Sequence, residues 1–325
     1  MKTIVAVDLG ATNIRVALED EKGSISSRLK ERTDESAGPE GVSRQIIRMV
    51  RSLRPENIHG IGIGSIGPLD LREGSIVHPP NIDLDHIPLV EPLEEEFGVP
   101  VYLVNDCVAG VVGEKEFGHG KGYANIVYVT LSSGIGGGIF VDNHLLMGKD
   151  GNAHEIGHMT IDHEGKLTCG CGKRGHWEAY CGGNNASNFI KVQLESRTRK
   201  EIEASLLYKV SNGNLRRLTS KDLFESAKKK DRVALEIVNE IGRLNSIGFA
   251  NITNIYDPEL ITVGGAITLA NPDLVLGPVK KNIERYNINR LPEILTTKLG
   301  EDIVLYGALA LSKYKTQSQE TKHAQ

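Results

Sequence analysis

Apolar and polar positions alternate along two stretches of the chain, and a short run of small residues interrupts each stretch. Residues 2–19 have the pattern of two strands separated at residues 10–13. Residues 125–142 repeat this strand–turn–strand pattern around the glycine-rich segment 132–138. One such hairpin near the start of each half of the chain predicts two related domains that face each other across a cleft.

Outside the hairpins, apolar spacing predicts a mixture of helices and single strands. The predicted helices cover residues 39–53, 106–117 and 231–249, the last within a largely helical region from 184 to 246. The predicted strands cover residues 58–63, 100–104 and 259–263, and residues 302–312 are predicted as a strand and a helix. This mixture indicates the α/β class.

The composition is typical of a globular protein, with 39% hydrophobic and 25% charged residues over 325 positions. A formal net charge of −4 gives no basic footprint for nucleic acid. No apolar run approaches the ~20 residues that cross a bilayer, and Asp8 interrupts the apolar start of the chain, so no signal peptide is expected. Four cysteines are too few for a disulfide scaffold. These features predict a cytoplasmic protein without nucleic-acid or membrane partners.

A region rich in histidine and cysteine offers two kinds of metal chemistry. Residues 154–158 read H-E-I-G-H, the pattern of zinc proteases, and residues 169–178 read C-G-C-G-K-R-G-H-W-E. A protease needs its motif on a helix, whereas Gly157 interrupts this one and residues 159–162 have a strand pattern. The two cysteines of the second run are too close together for an ordinary disulfide. The region therefore favours a closed zinc site beside carboxylates over a peptidase.

The turns of both hairpins have features of phosphate-binding loops. Residues 8–13, D-L-G-A-T-N, place a carboxylate at the end of a strand and a hydroxyl in a turn of small residues. A triphosphate needs accessible backbone N–H groups, a hydroxyl, and a carboxylate to hold Mg²⁺. An ordinary hairpin turn would look similar, but the segment 132–138 adds a second place where backbone must approach a ligand. Residues 62–67 match G-x-G-x-x-G, yet Pro68 and Asp70 follow where a dinucleotide site needs a helix.

Together these motifs resemble the ROK family. The resemblance rests on D-L-G-A-T at 8–12, N-D at 105–106, S-G-I-G-G-G at 133–138, E-I-G-H at 155–158 and the C-x-C-G-x-x-G-H-x-E run from residue 169. The motifs occur in the family's order, from residue 3 to about residue 312. The resemblance implies an α/β fold of two actin/hexokinase-like (ribonuclease H-like) domains around a central cleft. Residues 1–112 would carry the first phosphate loop, and residues 113–325 the second loop and the zinc site, with the C-terminal helix packing back on the first domain.

The resemblance also implies roles for individual residues. Asp106 would be the general base that takes the proton from the attacking sugar hydroxyl. The implied sugar contacts are Gly67, Asn81, Asn105, Asp106, Glu155, His158 and Glu178. The implied nucleotide contacts are Asp8, Gly10, Ala11, Thr12, Asn13, Ser133, Gly134, Gly136, Gly264 and Gly265. The implied metal ligands are His158, Cys169, Cys171 and His176 for a structural zinc, and Asp8 for Mg²⁺.

Three positions depart from the family's usual pattern. His176 stands where Cys is usual, His154 where Gly is usual, and the Ser-Ser pair at 132–133 where Gly-Thr is usual. Histidine is as competent a zinc ligand as cysteine, so we expect the site to be kept with an altered affinity. Cys107 and Cys181 are predicted to be buried thiols.

By resemblance, the expected activity is transfer of the γ-phosphoryl group of ATP to a hexose, with the 6-hydroxyl of glucose as acceptor. An N-acetylhexosamine kinase acting on N-acetylmannosamine or N-acetylglucosamine stays open, because pocket shape senses the 2-substituent. A sugar-sensing regulator is a remote alternative, since such family members carry a helix-turn-helix and this chain begins directly with the phosphate loop. The expected assembly is a homodimer or homotetramer.

Overall fold

A computed structural model describes residues 3–20, 23–80 and 82–314 of the protein. The expected sugar contact Asn81 lies outside these described residues. The strands are β1 (Thr3–Leu9), β2 (Asn13–Glu19), β3 (Ile25–Arg32), β4 (Ile58–Ser65), β5 (Leu69–Asp70), β6 (Ser75–Val77), β7 (His86–Pro88), β8 (Val101–Asn105), β9 (Ile126–Leu131), β10 (Ile135–Val141), β11 (His144–Leu145), β12 (Leu260–Gly264) and β13 (Glu293–Thr296). The helices are α1 (Gly41–Ser52), α2 (Val90–Phe97), α3 (Asp106–Glu116), α4 (Trp177–Cys181), α5 (Ala186–Glu195), α6 (Arg199–Ala204), α7 (Leu206–Val210), α8 (Ser220–Lys228), α9 (Arg232–Tyr256), α10 (Ala266–Ala270), α11 (Pro272–Asn282) and α12 (Ile303–Ala310). Within this part of the chain, none of the helices combines the length and apolar character needed to span a bilayer.

The chain divides into two compact units. The described part of unit 1 consists of residues 3–123, 138–154 and 297–314, and unit 2 consists of residues 124–137 and 155–296. The predicted domain division after residue 112 stays a prediction, and the units differ from it because two later segments of the chain belong to unit 1.

Two five-stranded sheets share one strand order. The orders are β3-β2-β1-β4-β8 and β11-β10-β9-β12-β13, so the three earliest strands of each sheet lie in reverse order and two later strands follow beside the first. β1 is antiparallel to β2 and parallel to β4, while β12 is parallel to β9 and β13. A small antiparallel sheet consists of β5, β6 and β7. These sheets, together with the helices, confirm the predicted α/β fold class.

The last helix, α12, completes the core of unit 1 by packing on β1, β4 and α3. Two glycines make this close packing possible. A Cβ atom on Gly62 in β4 would lie 1.9 Å from the Ala308 carbonyl oxygen, and one on Gly307 would lie 1.7 Å from that of Ala109. Because any side chain at these positions would collide with backbone, the approach requires glycine.

In unit 2, the 25-residue helix α9 fixes the position of α4. The ring of Phe249 packs edge-on against Trp177, with centroids 5.6 Å apart, and the Trp177 indole N–H donates to Asn245 Oδ1 at 2.8 Å. A Cβ on Gly248 would lie 2.3 Å from the indole, so the glycine leaves room for the ring. Trp177 is fully buried, and α4 is therefore anchored at its first residue.

Two predicted strands are wrong. Residues 302–312 contain α12 and no strand, because an apolar run that is buried nearly all round lacks the periodicity that separates strand from helix. Residues 159–162 form only an isolated bridge between Thr160 and His176, since two consecutive amides donate to the single carbonyl oxygen of Gly175 instead of forming a ladder. The elements that were not predicted are β3, β5, β6, β7, β11, β13, α2, α4, α10 and α11.

Candidate functional site

The turn between β1 and β2, residues 10–13, lies in unit 1. The Gly10 amide donates to the Asn13 carbonyl oxygen at 2.9 Å, which closes the turn. Thr33 holds it from outside, because its hydroxyl donates to the Gly10 carbonyl oxygen at 2.8 Å and its amide donates to that of Thr12 at 3.1 Å. The Thr12 side chain is exposed, so a ligand can reach its hydroxyl.

Asp8 lies near the end of β1 beside this turn and forms an ion pair with Arg15, its direct cross-strand partner in β2. Arg15 Nε donates to Asp8 Oδ2 at 2.7 Å, and Arg15 Nη2 contacts the same oxygen. Burial raises the pKa of Asp8, while the charge and hydrogen bonds of Arg15 lower it in part. Arg15 therefore orients the carboxylate and favours its ionised form.

Asn105 and Asp106 stand at the junction of β8 and α3. Asn105 is the N-cap of α3, and its Oδ1 accepts from the Cys107 amide at 2.8 Å. Asp106 is the first residue of the helix and is partly buried. Gly67 is close by, because a Cβ on it would lie 3.7 Å from Asn105 Nδ2. Unit 1 thus brings Gly67, Asn105 and Asp106 together at a helix N-terminus, where the helix dipole stabilises negative charge.

The turn between β9 and β10 is the counterpart in unit 2. The Ser132 amide donates to the Gly134 carbonyl oxygen at 3.0 Å. Two amides from the chain that follows α4 hold the turn: Gly183 donates to the Ser132 carbonyl oxygen at 2.8 Å, and Asn184 donates to that of Ser133 at 2.9 Å. The Ser133 side chain is exposed, as that of Thr12 is in the first turn.

The four predicted zinc ligands are adjacent in unit 2 and form what we call the Cys/His cluster. Single ligand atoms of His158, Cys169, Cys171 and His176 all lie within 4.8 Å of one another. Cys169 Sγ is 3.8 Å from His158 Nδ1, and Cys171 Sγ is 3.3 Å from His176 Nδ1. A tetrahedral zinc with thiolate and imidazole ligands places such atoms about 3.5 Å apart. The donor set therefore fits zinc, with four protein ligands.

Burial and neighbouring charges shift the pKa values of two residues of the Cys/His cluster. Burial, followed by the charge of His158, lowers the pKa of His176 and favours the neutral imidazole that binds metals. Burial and the neighbouring Glu178 raise the pKa of Cys169 to about 12, and a cation among the ligands would favour the thiolate instead. Glu155 Oε2 lies 3.3 Å from His158 Nε2, the ring nitrogen not paired with Cys169. Such carboxylate–histidine pairs orient metal ligands.

Glu178, on α4, contacts both the Cys/His cluster and the second turn. Its Oε2 accepts from the Ile135 amide at 2.8 Å, and its Oε1 lies 3.4 Å from Cys169 Sγ. Glu178, which was predicted to contact the sugar, therefore contacts the Ile135 amide and the Cys169 sulfur in this structure.

A pocket of ≈ 370 Å³ opens beside the second turn in unit 2. Its lining residues are Ser132, Ser133, Gly183, Asn184, Ser187, Leu218, Thr219, Ser220, Ala266 and Ile267. Four polar residues among them were not predicted from the sequence, namely Asn184, Ser187, Thr219 and Ser220. The visible signal at Thr219 was a capping box with Asp222, which indicates the start of a helix and not a ligand.

The other four predicted nucleotide contacts in unit 2, Gly134, Gly136, Gly264 and Gly265, do not line this pocket themselves. Gly136 lies within β10, and Gly264 ends β12. Gly265 has a φ of 85°, and a Cβ on it would lie 2.4 Å from the Leu131 carbonyl oxygen. The chain thus turns tightly at Gly265 so that the next residues, the first two of α10, reach the pocket wall.

The H-E-I-G-H segment has no α-helix. Residues Ile156–His158 form a 3-10 turn, so the segment lacks the helix that a zinc protease requires. His154 is buried, with 4% of its surface exposed. Cys107 and Cys181 are buried thiols, as predicted, and burial raises the pKa of Cys181.

The repeated strand order, with a turn of small residues after the first strand of each five-stranded sheet, defines an actin/hexokinase-like protein. The ROK family model matches residues 4–315, and the chain belongs to the ROK family. The family predicted from the motifs is therefore confirmed.

Relatives and solved structures match the chain over nearly its full length. It is 39% identical to the glucokinase of Pyrobaculum calidifontis over 316 residues, which cover 97% of this chain and 96% of that protein. It is similar to the structure of a ROK family glucokinase from Streptomyces griseus in complex with glucose and AMPPNP, with a TM-score of 0.77, 32% identity, and coverage of 95% of this chain and 98% of that chain. The ROK hexokinase structure from Thermus thermophilus gives a TM-score of 0.80 at 28% identity and covers 99% of each chain.

Proposed function

We propose that the protein is an ATP-dependent hexose kinase that transfers the γ-phosphoryl group of ATP to the 6-hydroxyl of glucose. The observation that carries this proposal is the near-complete match to a glucokinase at 39% identity. The two turns of small residues support it, because each has an exposed hydroxyl of the kind that phosphate oxygens accept from. We further propose a homodimer or homotetramer in the cytoplasm.

Asp106 is the proposed general base. It begins α3 directly after the Asn105 cap, and Asn105 is therefore held in one orientation beside it. Phosphoryl transfer depends mainly on positioning and charge neutralisation, so one carboxylate within reach of the sugar hydroxyl is sufficient to accept its proton.

The nucleotide contacts are proposed to come from both turns. Gly10, Ala11, Thr12 and Asn13 would bind phosphate oxygens from the first turn, and Ser133, Gly134 and Gly136 from the second. Asp8 would hold Mg²⁺, which neutralises phosphate charge when it is bound. The ≈ 370 Å³ pocket with Gly264 and Gly265 at its margin is the proposed site of the nucleoside.

The sugar contacts are proposed to be Gly67, Asn81, Asn105, Asp106, Glu155, His158 and Glu178. A carboxylate can accept from two adjacent hydroxyls, which suits Glu155 and Glu178 to a hexose. The Cys/His cluster is proposed to hold a structural zinc. Its effect on the sugar site would be to fix the imidazole of His158, whose Nε2 lies 3.3 Å from Glu155.

The test is ADP release from Mg-ATP with glucose, mannose, fructose, N-acetylglucosamine and N-acetylmannosamine. We expect turnover on glucose, and a kcat for Asp106→Asn that is about 10²–10⁴-fold lower with glucose affinity nearly unchanged. Asp85→Asn, at an exposed carboxylate, is the matched control and should resemble the wild type. Activity confined to the N-acetyl sugars would replace glucose by an amino sugar, and wild-type turnover in Asp106→Asn would refute the assignment of the base.

A further inference from the structure

Helix α4 connects the Cys/His cluster to the second turn within a few residues. The cluster ligand His176 is the N-cap of α4. The helix ends at Cys181, and the next residues, Gly182 to Asn184, lie against the turn. α4 is itself anchored to α9 through the buried Trp177, and its five residues alone separate His176 from Gly182.

The contact at the turn end is a close backbone fit. Gly183 and Asn184 donate their amides to the carbonyl oxygens of Ser132 and Ser133, at 2.8 and 2.9 Å. A Cβ on Gly183 would lie 2.7 Å from the Ser132 carbonyl oxygen, so a side chain would separate the two segments. The turn therefore keeps its shape only while the end of α4 stays in place.

Glu178 makes a second connection from the middle of α4. One carboxylate oxygen accepts from the Ile135 amide at the start of β10, and the other lies 3.4 Å from Cys169 Sγ in the Cys/His cluster. Cys169 is buried and is one of the four candidate zinc ligands, so a metal that binds its sulfur would fix an atom that Glu178 contacts. Glu178 thus bridges a candidate ligand sulfur and the Ile135 amide, so a shift of Cys169 would be transmitted to the start of β10.

We infer that metal in the Cys/His cluster positions the second turn through α4 and Glu178, so that nucleotide affinity depends on the metal even without sugar. Glu178 acts here as a positioning residue. The inference rests on the proposed kinase function, because it takes the second turn as part of the nucleotide site. A cluster that served the sugar contacts alone would leave nucleotide affinity unchanged.

The first test measures Mg-ADP binding by calorimetry, without sugar, to the zinc-loaded protein and to the same protein after chelation and after zinc is restored. We expect the Kd to rise about tenfold on chelation, which corresponds to about 1.4 kcal/mol, and to recover with zinc. Trp177, the one tryptophan of the chain, follows His176 and reports metal loss by fluorescence in the same samples. Equal affinity in all three samples would overturn the inference and leave the kinase proposal standing. A zinc-loaded protein without any Mg-ADP binding would contradict both.

A second test leaves the metal in the Cys/His cluster and removes the hydrogen bond between Glu178 and the Ile135 amide. Glu178→Ala removes the acceptor for the Ile135 amide, and we expect an about fivefold higher Kd for Mg-ADP at unchanged zinc content. Glu178→Gln keeps a carbonyl acceptor and should restore most of the affinity. Glu195→Ala, at an exposed position of α5, is the control. Wild-type affinity in Glu178→Ala would contradict the inference, because a role in sugar binding alone does not affect nucleotide binding in the absence of sugar.

Discussion

The two turns occupy equivalent places in their sheets but are held by different chemistry. The first, residues 10–13, lies beside the Asp8–Arg15 ion pair and is tied to Thr33 by hydrogen bonds. The second, residues 132–134, is held by two amides at 183–184 and by a carboxylate that also contacts the Cys/His cluster. The first turn therefore lies beside an ion pair of side chains, and the second lies beside the Cys/His cluster, which is the proposed metal site.

This difference means that the two turns respond to different variables. An ion pair is sensitive to the protonation of its carboxylate, whereas a Cys/His cluster is sensitive to chelators. A shared strand order thus does not imply a shared source of stability. A substitution can remove the Asp8–Arg15 ion pair without changing the Cys/His cluster, and a substitution in the cluster leaves the ion pair unchanged.

The largest effect is expected from Asp8→Asn, which removes the charge beside the first turn at constant size. It leaves Arg15 without its cross-strand partner and removes the proposed Mg²⁺ ligand, so kcat should fall by about 10²–10³-fold in steady-state kinetics. Asp302→Asn is the matched control, because Asp302 also pairs with Arg15, at 3.5 Å, but lies outside the turn. If both variants lose activity equally, the ion-pair network as a whole is responsible and Asp8 has no special role.

A smaller effect, on stability, is expected from Cys171→Ser, which removes an exposed ligand of the Cys/His cluster. Losing a structural metal should lower the Tm of the zinc-loaded protein by about 5 °C, measured by circular dichroism. Lys173→Ala, in the same loop, should leave the Tm unchanged. The loss should be equal in the Asp8→Asn background if the two sites are independent, and a clearly unequal loss would show that the turns are coupled.

The smallest effect is expected from Glu114→Gln in unit 1. Glu114 is fully buried, accepts from the Thr297 hydroxyl and from the His119 amide at 2.9 Å, and burial raises its pKa above 4.5. Because the folded state then holds the proton more tightly, the stability contributed by Glu114 is present below pH 4.5 and is lost as the pH rises through the folded pKa. Glutamine does not ionise, and its Oε1 can accept from the His119 amide while its Nε2 donates to the Thr297 hydroxyl oxygen, so the variant should gain about 2 °C in Tm at pH 7 relative to the wild type.

The control for this pH effect is Glu91→Gln, at an exposed position of α2. The difference in Tm between Glu114→Gln and the wild type should vanish near pH 4, where both side chains are neutral. A Tm difference that does not change with pH would mean that packing, and not ionisation, distinguishes the two side chains.

Local patterns in the sequence predicted the hairpins because each needs only neighbouring residues. The predicted break at residues 10–13 matches the turn between β1 and β2, and the Asn105 cap matches the start of α3. Arg15 could have been found in the same way, since a hairpin with this turn places it opposite Asp8. β3 was missed because it alternates charged, exposed positions with half-buried ones, which leaves little apolar signal.

Local sequence patterns could not predict contacts between segments that are far apart in the sequence. The Ile135–Glu178 hydrogen bond joins residues 43 positions apart, and no spacing rule relates them. The four ligands of the Cys/His cluster are near one another in sequence, which is why motif spacing identified them together. Asn184, between α4 and α5, and Thr219, the N-cap of α8, line the same pocket only because the fold brings these distant segments together.

The position of α12 has a consequence for synthesis of the chain. This helix packs on β1 and α3, yet it lies at residues 303–310. The first strand to be synthesised therefore acquires this packing partner only when one of the last segments has been synthesised. At roughly 5–20 residues per second, a ribosome needs about 15–60 s to bridge that interval. At the end of this interval all residues of unit 2, up to residue 296, have been made, whereas unit 1 still lacks α12. The nascent chain therefore finishes its inner unit before the unit that contains its own beginning.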